Sequence, residues 1–373
     1  MATSSLSLAF FMSSIISTRI HSFRTDHNSI HVKKKQAYPL LRNGGASASC
    51  MVLPMTTMNS QTSQTISSTS CGDTLTEREE LNPILDIFDG RLIHDRRIYR
   101  QKVTIRSFDI GPDLKLSPRA LMNHLQDTTL NHLRKIGILE YGFGLTAEMV
   151  KNSLIWVVST AQIVVDCYPA WTDVVQVDTW MYPAGKNSYG RDWLIRDDRT
   201  GQILIRATSA QLMMNKKTRK LSRYTEEIRE EFAPFILMDN PIMEKDSRRI
   251  PSCTADTAVC IRSGLSPGWN DMDVNQHVSN AKYVDWILEG TPHSLMEHHE
   301  LSAMTLEYRK ECDGESVLQS MSRVARNDTI AKDMVELDHL LHLEKGSVIM
   351  KGRTLWRLKD VKDRKTKSQT QTH

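Results

Sequence analysis

The sequence predicts an α+β protein in which an antiparallel sheet wraps one helix, and in which that arrangement occurs twice. Two observations carry the prediction. Residues 99–214 read as a strand, one long helix and then four strands, with turn residues between the runs. After a charged connector, residues 255–358 repeat a helix followed by strands, and residues 168–177 and 312–319 fall at corresponding helix-then-strand positions, the mark of a diverged internal duplication.

Taken in order, residues 1–72 hold Asp26 as their one acidic residue, amid dense Ser and Thr and the cations Arg19, Arg24, Lys33, Lys34, Lys35 and Arg42. That composition is expected of an organelle transit peptide, with an ordinary disordered tail as the alternative. The apolar run at residues 6–16 is broken by serines and too short to span a bilayer.

The first folded unit, residues 86–220, opens with a strand over 99–110. Gly111-Pro112 punctuates it, and Ser117-Pro118 supplies an N-cap and a first-turn proline for a helix to about Ile136. Leu121, Leu125, Thr128 or Thr129, and Leu133 or Ile136 give that helix one largely apolar face, so it must be buried to be stable. Strands are expected over 154–165, 174–182, 189–196 and 203–214. Residues 221–254, rich in Glu and punctuated by Pro234, Pro241 and Pro251, read as a connector too polar for the core. In the second unit, residues 255–358, a short helix at 281–288 precedes strands at 304–312, 317–324, 334–342 and 348–358. The tail, 359–373, is charged and then Gln/Thr-rich, and is expected to be disordered.

With 40% hydrophobic and 25% charged residues the chain has material for a real core. A formal charge of +4, partly in the N-terminal segment, argues against nucleic-acid binding, since no basic stripe interleaves with aromatics. Six cysteines without Cys-x-x-Cys spacing point to free thiols in a reducing compartment. No metal and no cofactor are expected: His293, His298 and His299, on what reads as a solvated turn, lack a convergent set of partners.

The chemistry concentrates in Asp271-Met-Asp-Val-Asn-Gln-His-Val-Ser-Asn280 and Glu311-Cys312. Asp273, Asn275 and His277 alternate just before a helix, where unpaired N–H groups favour a developing negative charge. Taken alone, His277 is an ordinary hydrogen-bonded histidine, and Asp273 or Asn275 a helix cap. Taken together they suit attack on an acyl carbonyl, in either of two ways. Cys312 could attack with His277 as base and Asn275 orienting the ring. Alternatively, Glu311 with His277 activates a water or attacks directly, while Asn275 and helix-end N–H groups hold the carbonyl and Asp273 orders the network. On a strand only one of Glu311 and Cys312 faces the site; Met304, Leu306 and Tyr308 share the Cys312 face, whereas Thr305, Glu307 and Arg309 share that of Glu311. A bulge at the strand end would reverse that assignment.

These residues, with Arg106-Ser-Phe-Asp-Ile-Gly111, Leu121-Met-Asn-His-Leu-Gln126, Leu154-Ile-Trp-Val-Val158, the run from Tyr168 to Trp180, Met213-Met-Asn215, Asp273-Val-Asn-Gln-His277 and Leu306-Glu-Tyr-Arg-Lys-Glu-Cys312, resemble the plant plastid acyl-acyl-carrier-protein (acyl-ACP) thioesterases, the B class more than the A class. The resemblance spans about residues 86–358 and implies a tandem double hot-dog fold with a site at the seam between halves. It implies hydrolysis of acyl-ACP thioesters in the plastid stroma to release free, saturated fatty acids, and it favours Glu311 over Cys312. An acyl-CoA thioesterase, a hot-dog dehydratase and a non-catalytic lipid-binding protein remain the alternatives, and a homodimer stays open. Met122, Leu125, Trp156, Val158 and Trp180 are candidates to line an acyl tunnel, each equally explained as core. Lys186, Arg191, Lys216, Lys217, Arg219 and Lys220 are candidates for a patch that receives the acidic carrier protein, with a merely solvated face as the alternative. The Trp-containing apolar segment common before the catalytic region of B-class members is missing, and residues 77–90 are too polar to anchor in a membrane. Around Arg191 and residues 210–212, and at Ser279 and Asp285, the chain departs from the B-class pattern, which leaves chain-length preference open.

Overall fold

A computed structural model of the chain describes residues 90–359, except 139–144, 240, 274–275, 326–332 and 345. The transit-peptide reading, the polar segment before residue 90, the tail and Asn275 therefore lie outside the described residues.

The first half begins with β1 (Arg91–Ile93) and β2 (Ile98–Thr104) and continues into helix α1 (Pro118–Lys135). Helix α1 starts where expected because Ser117 accepts a hydrogen bond from the Ala120 N–H at 3.2 Å and Pro118 occupies the first turn. Its buried face carries Leu121, Leu125, Thr128, Thr129, His132 and Leu133. A short α2 (Ala147–Lys151) precedes β3 (Leu154–Val165), β4 (Val174–Pro183), β5 (Ser188–Asp197), β6 (Ile203–Asn215) and the two-residue β7 (Leu221–Ser222). Helix α3 (Glu226–Phe232) then leads to the second half, made of β8 (Cys260–Leu265), α4 (Asn280–Glu289), α5 (His293–His298), β9 (His299–Tyr308), β10 (Leu318–Val324), β11 (Met334–Leu343) and β12 (Val348–Leu358).

The strands form one antiparallel sheet in the order β1-β2-β4-β5-β6-β3-β9-β12-β11-β10-β8, with β7 beside β6. Around the central β3–β9 pair, where Ile163 faces Met304, the two halves are ordered alike: β2-β4-β5-β6-β3 is met by β8-β10-β11-β12-β9. The sheet of each half covers its own helix, α1 or α4, and the two helices pack on one another. A contiguous apolar core runs through both halves.

Four sequence expectations need correction. The strand expected to reach Cys312 ends at Tyr308, so the alternation argument for Glu311 and Cys312 does not apply to them. Residues 293–298, expected as a turn, form helix α5. The connector is not wholly outside the core: α3 is amphipathic and buries Ile228 and Phe232, Phe232 lying edge-on to Trp156 with centroids 5.4 Å apart. Arg191 is not a surface residue. At 1% exposure it lies under α1, hydrogen-bonded to His132 Nδ1 at 3.0 Å and Thr179 Oγ1 at 3.3 Å, because the register of β5 turns it to the helix side with Trp193 and Ile195.

Candidate active site at the seam of the two halves

The loop before α4 is closed by its own backbone. Asp273 N–H donates to the His277 carbonyl at 2.7 Å, and His277 N–H donates to Asp273 Oδ1 at 3.0 Å. Met272 and Val278 bridge, and Gln276 takes a left-handed φ of 63° to make the turn. Ser279, not Asp273, occupies the helix N-cap position. Asp273 thus braces the main chain that presents the His277 imidazole.

A second segment, residues 309–312, is tied to this loop through the Val278 N–H, which donates to the Cys312 carbonyl at 3.1 Å. That tie brings Glu311 Oε2 to 3.6 Å from His277 Nε2, with both side chains partly exposed. The third group comes from the first half. Arg219 Nε donates to Glu311 Oε1 at 3.1 Å, while its Nη2 donates to Oε2, a forked guanidinium–carboxylate pair. Arg219 sits in the turn after β6, where Asn215 Oδ1 accepts from the Lys217 and Thr218 N–H groups at 3.0 and 2.9 Å. Its φ of 57° is a left-handed conformation costly for a residue other than glycine. Candidate residues from both halves therefore meet at one carboxylate.

Cys312 is differently placed. It is 2% exposed within the apolar core, and its N–H donates to the Tyr283 hydroxyl at 3.0 Å. Burial pushes its thiol up to about 11, against the pull of hydrogen bonds from Tyr283 and Ser316, so the nucleophilic thiolate is disfavoured at neutral pH.

Of the tunnel candidates, Met122, Leu125, Trp156 and Val158 lie in the core between α1 and the sheet. Trp180 does not: register pairs it with Asp192 while its neighbours Thr179 and Met181 pair with Trp193 and Arg191, so it points to the sheet face away from α1. The space lined by Thr129, Leu133, Trp156, Met181, Tyr189, Arg191, Gln211 and Phe232 measures only ≈ 20 Å³. An alkyl chain enters there only if side chains move. Of the patch candidates, Lys186, Lys216, Lys217 and Lys220 are exposed, and the register of Ser188 with Leu212 puts their turns at one end of the sheet. Arg219 is turned onto Glu311 instead.

Arg219 as partner of the site carboxylate, and Tyr283 beneath it, were not assigned from sequence. Asn215-Lys-Lys-Thr-Arg219 signals a turn through its asparagine, but nothing local says which carboxylate that turn will face.

Comparison with known proteins identifies the family. The acyl-ACP thioesterase N-terminal domain matches residues 96–232 and the corresponding C-terminal domain matches residues 254–358. A chloroplastic palmitoyl-acyl carrier protein thioesterase of Gossypium hirsutum is 48% identical over 283 residues, covering 75% of this chain and 68% of that protein. Its namesake from Arabidopsis thaliana is 50% identical over 271 residues, covering 72% and 66%. The chain thus spans about two thirds of the length of these relatives. Among solved structures, the 12:0-ACP thioesterase from Umbellularia californica superposes with a TM-score of 0.66 at 45% identity, covering 70% of this chain and 94% of that one. With both domains matched and the tandem hot-dog fold shared, the chain belongs to the acyl-ACP thioesterase family.

Proposed function

We infer that the protein hydrolyses the thioester of acyl-ACP and releases free fatty acid in the plastid, as the names of its chloroplastic relatives indicate for them. The observation that carries the reading is the meeting of Glu311, His277 and Arg219 at the seam, beside the N-terminus of α4.

In the proposed mechanism Glu311 is the general base. Its carboxylate, held by Arg219, takes a proton from a water whose oxygen attacks the thioester carbon. The carbonyl oxygen gains charge near the first turn of α4, where backbone N–H groups stabilise it. By resemblance, Asn275 supplies a further donor. Collapse of the tetrahedral intermediate breaks the C–S bond, and the departing thiolate takes a proton by way of His277. A thiol of ordinary pKa, about 8.5, leaves without strong acid catalysis. Buried Cys312 is left as a core residue. Lys186, Lys216, Lys217 and Lys220 form the patch proposed to receive the acidic carrier protein. The acyl chain is proposed to run between α1 and the sheet past Trp156 and Val158. Saturated chains follow from the B-class resemblance.

The test offers acyl-ACP and acyl-CoA substrates of several chain lengths to the purified protein and measures free acid. Release from acyl-ACP is expected; no release from any carrier-protein substrate would overturn the assignment.

A further inference from the structure

The loop that presents His277 has a twin in the first half, offset by 162 positions. Ile110 bridges Leu116 as Met272 bridges Val278. Gly111 N–H donates to the Lys115 carbonyl at 2.8 Å, as Asp273 N–H does to that of His277 at 2.7 Å. Ser117 N–H reaches the Asp109 carbonyl at 2.8 Å, and Ser279 N–H that of Asp271 at 2.8 Å. Leu114, with φ 61°, stands where Gln276 has φ 63°. Leu116 N–H donates to Pro169 O as Val278 N–H donates to Cys312 O.

The twin carries different chemistry. Lys115 stands at the position of His277, Gly111 at that of Asp273, and Tyr168, just before Pro169, at that of Glu311. The Lys115 ammonium lies 3.0 Å from Glu300 Oε2, and the Tyr168 hydroxyl donates to the Leu301 carbonyl at 2.8 Å. An ammonium and a phenol so engaged cannot take a proton from water at neutral pH.

The neighbouring wall is duplicated too. A bulge at Ser159, whose Oγ donates to Ala210 O at 3.0 Å, is matched at Ser302, whose Oγ donates to Leu355 O at 3.0 Å. Val158 faces Gln211 as Leu301 faces Trp356. Beside the twin loop this wall, through Leu301 and Trp356, borders a cleft of ≈ 420 Å³. Leu116, Tyr168, Leu288, Met296, Leu301 and Trp356 give the cleft its mostly apolar lining. Its size falls within the roughly 300–1,000 Å³ of small-molecule sites.

We propose that this cleft is a second, non-hydrolytic binding site for a single alkyl chain, and that its ligand is a free fatty acid of the kind the enzyme releases. The duplicated loop and wall carry the site; the choice of ligand rests on the acyl-hydrolase reading. Of the cations in the lining, Lys115 pairs with Glu300 and Lys359 donates to the Met296 carbonyl, and Asp113, Glu297 and Glu300 line the cleft with them, so the alkyl tail supplies most of the binding.

The test irradiates the full chain with a diazirine analogue of a saturated medium-chain fatty acid and maps the adducts by peptide mass spectrometry. Adducts are expected on peptides carrying Leu116, Met296 or Trp356. Met296→Trp, which fills the cleft from partly exposed α5, should reduce them by about tenfold or more, a loss of at least about 1.4 kcal/mol of binding. Free-acid release from acyl-ACP by the same variant should be unchanged. Leu288→Trp tests the same point from α4 should Met296→Trp fail to fold by circular dichroism. Adducts confined to peptides of α1, β3 and β6, no adducts at all, or labelling indifferent to both folded variants would each overturn the proposal. Because hydrolysis is measured separately, loss of the hydrolase assignment would show as absent release, not as absent labelling.

Discussion

The guanidinium of Arg219, carried on a turn of the first half, forks onto the carboxylate of Glu311 from the second half, 92 positions along the chain. This pair fixes the proposed base relative to His277 and makes the site a joint product of both hot-dog units. Its cost is visible in the left-handed backbone of Arg219.

Removing the fork should therefore impair turnover more than binding. Arg219→Ala leaves Glu311 free to leave the neighbourhood of His277, and a loss of about 10²-fold in kcat with little change in KM is expected. Arg219→Lys keeps the charge but cannot fork, so it should recover only part of the loss. Steady-state assays with acyl-ACP check both; full activity in Arg219→Ala would remove the residue from the site.

The exposed lysines should act on encounter, not chemistry. Charge reversal at Lys216, Lys217 and Lys220 is expected to lower kcat/KM for acyl-ACP by about tenfold at low salt and less at high salt. Hydrolysis of an acyl-CoA, which lacks the acidic protein, should change little. Parallel losses on both substrates would argue against a carrier-protein patch.

Arg191 is a fully buried cation whose hydrogen-bond partners, His132 and Thr179, carry no negative charge. Burial lowers its pKa to about 9, and Arg191 adds to the burial that holds His132 well below its ordinary value. Replacing it by methionine removes a buried charge that no carboxylate offsets and should leave the fold as stable or more stable. The His132 imidazole should then titrate at higher pH, which chemical denaturation and histidine NMR would show; a loss of several kcal/mol would contradict this.

Buried His132 and His339 set a pH dependence of stability. Burial pushes His339 down to about 3 and His132 well below 6.5. Both stay neutral in the fold but take up protons when unfolded below about 6.5. Stability should therefore be complete above that pH and fall as pH drops from about 6.5 toward 3, by up to about 1.4 kcal/mol per pH unit for each group. A urea midpoint that holds constant from pH 6.5 to 5 would refute the assignment.

Much of this fold was legible because it is written locally. Ser117-Pro118 marks the start of α1, and residues 154–165 show in apolar content the strand that forms. Helix α3 was misread because its four glutamates hide a two-residue apolar stripe, Ile228 and Phe232, whose burial depends on Trp156 far away in sequence. The same limit governed the site. His277 and Glu311 were candidates by residue type and gained their weight from the family resemblance, whereas Arg219 looked like one more cation in Lys216-Lys-Thr-Arg-Lys220. Only the pairing of β3 with β9, a contact between halves, shows which carboxylate that turn meets. Arg191 was misplaced for a related reason: in a strand, which face a residue takes follows from register, and no local feature shows that this arginine faces inward.

The central claim is that a carboxylate at the seam, and not the thiol beside it, drives thioester hydrolysis. The most direct measurement is free-acid release from acyl-ACP by Glu311→Ala and Cys312→Ala prepared in parallel. Cys312→Ala is expected to keep most of the wild-type kcat, while Glu311→Ala falls by about 10³-fold or more; an active Glu311→Ala with an inactive, folded Cys312→Ala would contradict the account.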